Sequence, residues 1–425
     1  MNKVSKNFTP RPHVFKMLPS FKTPLLSLFI LSLLLSPSAA VPTTTVGFTY
    51  SPAPNSPPPE HVVTALQSLK IPAVRLLNPS PSLIRAFSYS NISLLLTVPN
   101  YLVGSFASNR SAATLWVYNN VLPFHPRARI SLISVGSDVV TSPSSGGSDP
   151  SVAVVPAMRN LHRALNDLGI RTVSVSTTFS FINVITTAFP PSSAEFQEPV
   201  SSLIIRPVLQ FLEETNSSLL VNVYPYNVYR LHGEIPVGFA LFQEGPFNFR
   251  DDVVTAVRYH NLFDMMVDAV VAAMAVSGYE NVPLIVTETG WPSDGSNYEH
   301  VNNGVRNAEE SQLYAEMYLQ GLVSHLKSGL GTPLRKEGVS EAYIYQLFDE
   351  SETNVQKSNL SSAQGEITGQ YWGVMYTNMS LKYNINFDSA DRNSRKLGVL
   401  VPSIHLLWLL SSFIGLVNSS GKSLA

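Results

Sequence analysis

Four short apolar runs in this chain carry polar or aromatic side chains at their ends. Asp138 closes ISLISVGSD, Tyr224 and Tyr226 close SLLVNVYPY, Glu288 interrupts PLIVTETGW, and Asp349 with Glu350 closes EAYIYQLFDE. An interior carboxylate is expensive to desolvate unless it has a partner or a task. On spacing alone, a buried structural ion pair would account for Glu288. The alternative is chemistry. Two carboxylates reaching over one mouth are the minimum equipment for cleaving a glycosidic bond: one protonates the leaving oxygen, the other attacks the anomeric carbon or activates water. Asp138 and Glu288 would supply such a pair. The nearby aromatics Tyr50, Phe179, Tyr224, Tyr226 and Trp291 can stack on sugar faces, with core packing as the competing role for any one ring.

Such residues need elements that bring the run ends together. The runs at 44–50, 73–78, 93–100, 130–138, 172–178, 218–226, 283–291 and 341–350 are nearly continuous in apolar character, as parallel strands covered on both faces are. Between them lie amphipathic stretches. Residues 152–169 and 260–278 each have helical spacing and stop at a glycine, Gly169 and Gly278, and 309–329 is a third. Strict alternation of strand and helix predicts an α/β fold, a single-domain (β/α)₈ barrel over 41–388. No glycine-rich phosphate loop follows the first run, which argues against a dinucleotide-binding sheet. The polar stretches 142–151 and 351–370 follow the fourth and eighth runs, on the face where barrels bind substrate.

Composition narrows the partners. Charged residues are 13% of the chain and its formal net charge is -1. That speaks against nucleic acid and against electrostatic docking on acidic membranes, and suits an uncharged polymer. The chain has no cysteine, so disulfides and thiolate chemistry are excluded. His162, His260 and His325 sit in helical patterns without metal spacing, where surface or packing roles are expected.

Both ends read as processing signals. Residues 24–36 form an apolar run preceded by Lys16 and Lys22 and followed by Ser38-Ala39-Ala40, the pattern of a secretory signal ending at Ala40. Residues 399–417 form a second apolar run behind the small and polar stretch FDSADRNSRKLG. This predicts a GPI-attachment signal over 389–425, with Ser389 or Asn393 as the attachment residue, although the polar octet NSSGKSLA at the end is unusual for one and a membrane span is the alternative. Secretion makes the sequons at Asn91, Asn109, Asn216, Asn359 and Asn378 candidate glycosylation sites.

VTETGWPS at 286–293 resembles the signature of glycoside hydrolase family 17, the plant endo-1,3-β-glucanases. VGFTY, AVRLLNP, LLLTVPN, PAMRNLHRAL, LLVNVYPY, YHNLFDMMVDAV, YIYQLFDE and YWGVMYTNMSLKYNINF are similar to family segments in family order, so the resemblance spans 46–387. It implies a (β/α)₈ fold, hydrolysis of 1,3-β-glucan with retention, and no metal or organic cofactor. It implies Glu288 as nucleophile, Glu350 as a further site glutamate, and Tyr50, Tyr224 and Tyr226 as cleft aromatics. Location on the outer face of the plasma membrane, facing the cell wall, follows from secretion and anchoring, and a monomer is expected.

Three departures cluster at the reaction centre. Ser137-Asp138 stands where the family has Asn-Glu, Leu77-Asn78 replaces a Tyr-Asp pair, and the family's lysine near Glu350 has only Lys357 as a candidate. A carboxyl withdrawn by one methylene moves by up to about 1.5 Å, and Ser137 is shorter than the asparagine that binds the sugar 2-hydroxyl in the family. The resemblance therefore implies a 1,3-β-glucan hydrolase with a weakened acid/base. The alternatives are a catalytically impaired 1,3-β-glucan-binding or wall-tethering protein, and a barrel hydrolase for another β-glucan.

Overall fold

Each of the eight apolar runs marks one strand of a closed, all-parallel barrel, with the fourth strand starting one residue before its run and the fifth ending two residues beyond its own. The computed structural model describes residues 43–53, 56–140, 150–293, 312–349 and 371–387. The strands are β1 (Thr45–Tyr50), β2 (Ala73–Leu76), β3 (Ser93–Val98), β4 (Arg129–Ser137), β5 (Ser174–Ser180), β6 (Leu219–Asn222), β7 (Leu284–Thr289) and β8 (Glu341–Ile344). Neighbours in sequence are neighbours in space, and β8 closes the ring on β1 with Thr45 opposite Glu341 and Phe48 opposite Ile344. The fold is the expected (β/α)₈ barrel. All described residues belong to one compact unit.

The three expected helices form at Pro150–Asp167, Leu262–Val276 and Gln312–Ser328. Gly169 and Gly278 follow the first two with φ of 76° and 84°, the left-handed conformation that ends helices and that glycine adopts without a Cβ penalty. Asn261 starts the second helix by accepting from the Asp264 backbone N–H at 2.7 Å. The Asp264 carboxylate in turn contacts His325 at 2.8 Å, tying the helices together. His162 lies edge-on to Phe211. Further helices at Pro59–Ser68, Pro81–Ala86, Asn100–Ser108, Arg110–Asn120 and Arg206–Glu214 complete the outer layer, and a two-stranded ribbon (Arg250–Asp252 with Val257–Tyr259) lies outside the barrel. The signal and anchor expectations at 1–40 and 389–425 lie outside the described residues, as does Asn359. Asn91, Asn109, Asn216 and Asn378 are all exposed.

The barrel interior is built in layers, and the layering follows from a side-chain period of two. Ala73, Leu95, Leu132, Leu220, Ile285 and Tyr343, one from each of six strands, form a buried apolar cluster separate from the main core. Gly47 leaves room for it: a Cβ there would lie 2.6 Å from the Ala73 carbonyl oxygen and 2.9 Å from the Tyr343 ring. Two residues further along the same strands the interior turns polar, with Arg75, Thr97, Ser134, Asn222 and Thr287 all buried. Hydrogen bonds knit this second layer. Ser134 Oγ meets Thr178 Oγ1 at 2.9 Å, Thr287 Oγ1 donates to Asn222 Oδ1 at 2.9 Å, and Arg75 Nη1 donates across the barrel to the Thr287 carbonyl at 3.2 Å. The apolar layer is the floor, and the polar layer is the base of the mouth.

Candidate active site

Glu288 owes its position to an irregularity in β7. On one side Val286 pairs with Val221 and Glu288 with Asn222; on the other Val286 pairs with Ala342 and Thr289 with Ile344. Both neighbours see one extra residue in β7 between Val286 and Thr289. Such a bulge re-aims side chains and is common beside active sites. Here consecutive residues both find partners within the barrel: Thr287 bonds Asn222, and Glu288 meets Arg75 and Tyr224.

The Glu288 carboxylate is 8% exposed, and both of its oxygens are engaged. Oε1 accepts from Arg75 Nη1 at 2.5 Å and Oε2 accepts from Tyr224 Oη at 2.8 Å. Arg75 is fully buried and sits in the polar layer of β2. Its Nη2 donates to Ser137 Oγ at 2.9 Å, so one guanidinium fork joins the end of β7 to the end of β4. Asn100 holds Ser137 from the other side, accepting from its N–H at 2.8 Å and donating to its carbonyl at 2.9 Å. The buried ion pair considered from sequence therefore exists, at the mouth of the barrel.

Asp138 follows a second bulge. Ser134 pairs with Ser176 and Ser137 with Thr178, so β4 carries one extra residue there, with Gly136 at φ 78° and Asp138 at φ 48°. The Asp138 N–H donates to the Thr178 carbonyl at 2.9 Å. Its carboxyl accepts from the Ser180 N–H at 3.2 Å and from Asn183 Nδ2 at 3.2 and 3.0 Å. Burial pushes the Asp138 carboxyl up to about 6, helped by the negative charge of Glu288, while the bonds from Asn183 and Ser180 pull it down. A carboxyl titrating there, electrostatically coupled to a second carboxylate, suits a group that must both give and take a proton near neutrality.

The aromatic expectations divide. Tyr224 is half-buried and touches Glu288 directly. Tyr50, Phe179, Tyr226 and Trp291 are only 1–2% exposed, the burial that the competing packing role calls for. Parity explains two of them. Gly47 lies against the interior Tyr343, so Phe48 and Tyr50 face the helices, and Tyr50 packs edge-on to Phe348 at 6.0 Å. Thr178 turns inward, so Phe179 turns out. Tyr226 is not on a strand at all. β6 ends at Asn222 and Pro225 opens the helix Pro225–Leu231, because proline lacks the ladder donor and suits the first helical turn. From there Tyr226 packs against Trp291 at 5.1 Å and accepts from Arg230 at 2.8 Å.

Residues that sequence reasoning missed complete the mouth. Trp372 stands 5.2 Å from Tyr224, 5.8 Å from Tyr226 and 6.0 Å from Tyr345, centroid to centroid. Its indole N–H, Arg75 Nε, Gln346 Nε2 and Tyr50 Oη are buried polar atoms without a hydrogen-bond partner among the described residues. Unpaired buried donors are costly and rare; a polyhydroxylated ligand in the mouth is chemically suited to pair with the Trp372 indole N–H beside Tyr224, whereas Tyr50 faces the helices. Burial pushes the Tyr50 hydroxyl up to about 12, so it stays protonated. Asp349 is occupied structurally, accepting from Lys382 Nζ at 2.5 Å and from the Gly373 N–H at 2.8 Å. Glu350 and Lys357 lie outside the described residues. Leu77 is half-buried, and Asn78 is exposed and donates to Ser51 at 3.3 Å.

The Arg75–Glu288 pair yields a double-mutant prediction. Arg75→Met leaves a buried carboxylate without its cation and should destabilise the fold by about 3–5 kcal/mol. Adding Glu288→Gln should recover part of that loss. Urea unfolding of the single and double variants measures both, and additive losses would contradict the coupling.

Comparison with known proteins agrees with this geometry. Residues 46–387 match the family model for glycosyl hydrolases family 17. A glucan endo-1,3-beta-glucosidase of Nicotiana tabacum is 32% identical over 349 residues, 81% of this chain and 90% of that protein. Glucan endo-1,3-beta-glucosidase 2 of Arabidopsis thaliana is 38% identical over 317 residues, and there the match spans 73% of this chain but only 60% of the relative. Among solved structures, CJP38, a beta-1,3-glucanase and allergen of Cryptomeria japonica pollen, superposes with a TM-score of 0.70 at 31% identity, covering 82% of this chain and 100% of that one. A plant beta-glucan endohydrolase superposes with a TM-score of 0.66 at 31% identity, covering 80% of this chain and 100% of that one. This chain belongs to glycosyl hydrolases family 17, and is a glycoside hydrolase built on a (β/α)₈ barrel.

Proposed function

We propose that the chain hydrolyses internal 1,3-β-glucosidic linkages with retention, Glu288 acting as nucleophile and Asp138 as acid/base. The observation that carries the reading is a carboxylate fixed by Arg75 and Tyr224 at the barrel mouth, electrostatically coupled to a second carboxyl that titrates near neutrality. In the first step the Asp138 carboxyl gives its proton to the glycosidic oxygen as the bond to the anomeric carbon breaks. Glu288 attacks that carbon and forms a glycosyl ester. In the second step Asp138, now ionised, takes a proton from water, whose oxygen displaces Glu288. The tight setting of Glu288 limits the search for the attacking geometry, which is the main entropic obstacle to such a step. The names of the relatives, glucan endo-1,3-beta-glucosidases and a beta-1,3-glucanase, support 1,3-β-glucan as the substrate.

The test is reducing-sugar release from laminarin, with 1,4-linked and mixed-linkage glucans alongside. Glu288→Gln keeps the size of the side chain but cannot form the ester, so turnover should vanish while glucan still binds. Because Asp138 must enter the first step protonated, kcat/KM should fall as pH rises through about 6. Near-normal turnover in Glu288→Gln removes the nucleophile assignment. Glucan binding by the native chain without sugar release would select a non-hydrolytic glucan binder instead.

We further propose that the chain is secreted and held by a GPI anchor at the outer face of the plasma membrane, where it meets wall glucan. The apolar runs at 24–36 and 399–417 and the small, polar stretch before the second support this. Phosphatidylinositol-specific phospholipase C should then release the protein from intact membranes. Finding residues 399–417 in the mature protein by mass spectrometry would rule the anchor out.

A further inference from the structure

An aspartate carboxyl swings easily about its last torsion, a broad rotor with no sharp staggered wells. An acid/base that must hand a proton to one oxygen and later recover one from water needs that rotor held. In this chain the main chain around Asp138 is held from three sides: Thr178 takes its N–H, Asn100 grips Ser137, and Arg75 reaches Ser137 Oγ. None of these contacts fixes the carboxyl itself. Two residues do. The Ser180 N–H reaches Oδ1 at 3.2 Å, and Asn183 Nδ2 reaches Oδ1 at 3.2 Å and Oδ2 at 3.0 Å. Asn183 belongs to the single helical turn Phe181–Val184 that follows β5, and it is half-buried in a setting of apolar residues, with Phe181 and Val184 buried beside it. An amide in that place has a polar partner in Asp138.

We propose that Asn183 is the positioning residue of the acid/base: its amide straddles both oxygens of Asp138, fixes the carboxyl plane and leaves Oδ2 as the proton-carrying oxygen. This rests on the assignment of Asp138 as acid/base. The two oxygens are not equivalent. Among the described residues Oδ1 has two donors from two different residues, so it is the better acceptor and the worse site for a proton. Oδ2 has one, and a hydroxyl there can turn its hydrogen towards substrate while still accepting from Asn183. Among the described residues the charged group acting on the carboxyl is Glu288 on β7, which disfavours its ionised form, while Arg75 on β2 is engaged with Glu288 and Ser137. The contacts from the β5 side, Ser180 and Asn183, are neutral donors, and both favour the ionised form. Asn183 therefore also limits how far burial and Glu288 raise the proton affinity of Asp138.

The experiment compares laminarin hydrolysis by the native chain with Asn183→Ala and Asn183→Asp, over a full pH range, with thermal melts of each. Asn183→Asp is isosteric, removes both N–H donors and adds a negative charge, so it tests the same point where Asn183→Ala fails to fold. Loss of the clamp should lower kcat about ten- to a hundredfold with KM little changed, as a mispositioned proton donor does. The basic limb of the kcat/KM profile should move up by about half to one pH unit in Asn183→Ala, and further in Asn183→Asp. Asn183→Gln, which keeps the amide, should retain more kcat than Asn183→Ala. An unmoved limb in the folded variants, whether or not the melting temperature falls, makes Asn183 a merely structural residue and overturns the proposal. Asp138→Ala is the control that separates the two claims: native turnover in that variant removes Asp138 as acid/base whatever Asn183 does. An inactive Asp138→Ala beside an unmoved Asn183 limb refutes the clamp alone.

Discussion

The mouth of this barrel is organised by one buried cation. Arg75 is the fully buried guanidinium at the level where the interior changes from apolar to polar, and its fork spends one arm on Glu288 and the other on Ser137. A charge in that position would be prohibitively expensive alone, and so would the carboxylate. Each is tolerable because the other is there, and because neighbouring groups add further bonds: the Thr287 carbonyl accepts from Arg75 and the Tyr224 hydroxyl donates to Glu288, although Arg75 Nε has no partner among the described residues. The pair is thus less a source of stability than a fixed geometric reference between the ends of β2, β4 and β7. The rest of the site is positioned against it.

Two bulges supply what regular strands cannot. A strictly alternating β7 would put Thr287 and Glu288 on opposite faces; the extra residue lets both find partners in the polar layer. The extra residue in β4, with its left-handed glycine at Gly136, ends that strand so that Asp138 reaches back to the β5 end. The apolar floor beneath, from Ala73 to Tyr343, is a packed layer of regular strand, and the local departures lie above it at the mouth. Around the rim, Trp372 gathers Tyr224, Tyr226 and Tyr345 into a wall of edge-to-face rings. In that wall Tyr226 and Trp291 act as backing, and Tyr224 is the ring that meets Glu288.

The barrel was legible in the sequence because strands covered on both faces leave long apolar runs, and because glycines mark the helix ends. Glu288 and Asp138 were legible as polar interruptions at run ends. Arg75 was passed over by that same rule, since it sits inside AVRLLN rather than at its end; a cation within an apolar strand was the available signal. Tyr50 and Phe179 face the helices because strand parity, which a run end does not reveal, turns them outward. Tyr226 leaves the strand because Pro225 opens a helical turn. Asn100, Asn183 and Trp372 had no local signal. Their roles arise from contacts across 37, 45 and more than 100 residues of chain, which only the register of the closed barrel brings together.

The central claim is that Glu288 is the group that bonds to the sugar. It is tested most directly by trapping the bond. A 2-deoxy-2-fluoro laminaribiosyl fluoride combines a fluorine that slows both steps with a leaving group good enough to let the first one proceed, so a covalent intermediate accumulates in a retaining enzyme. Intact-protein mass spectrometry of the treated chain, followed by peptide mapping, should show one fluoroglycosyl group, on Glu288 within VTETGWPS. A label on any other residue, or laminarin turnover with inverted anomeric configuration and no label, would contradict the account.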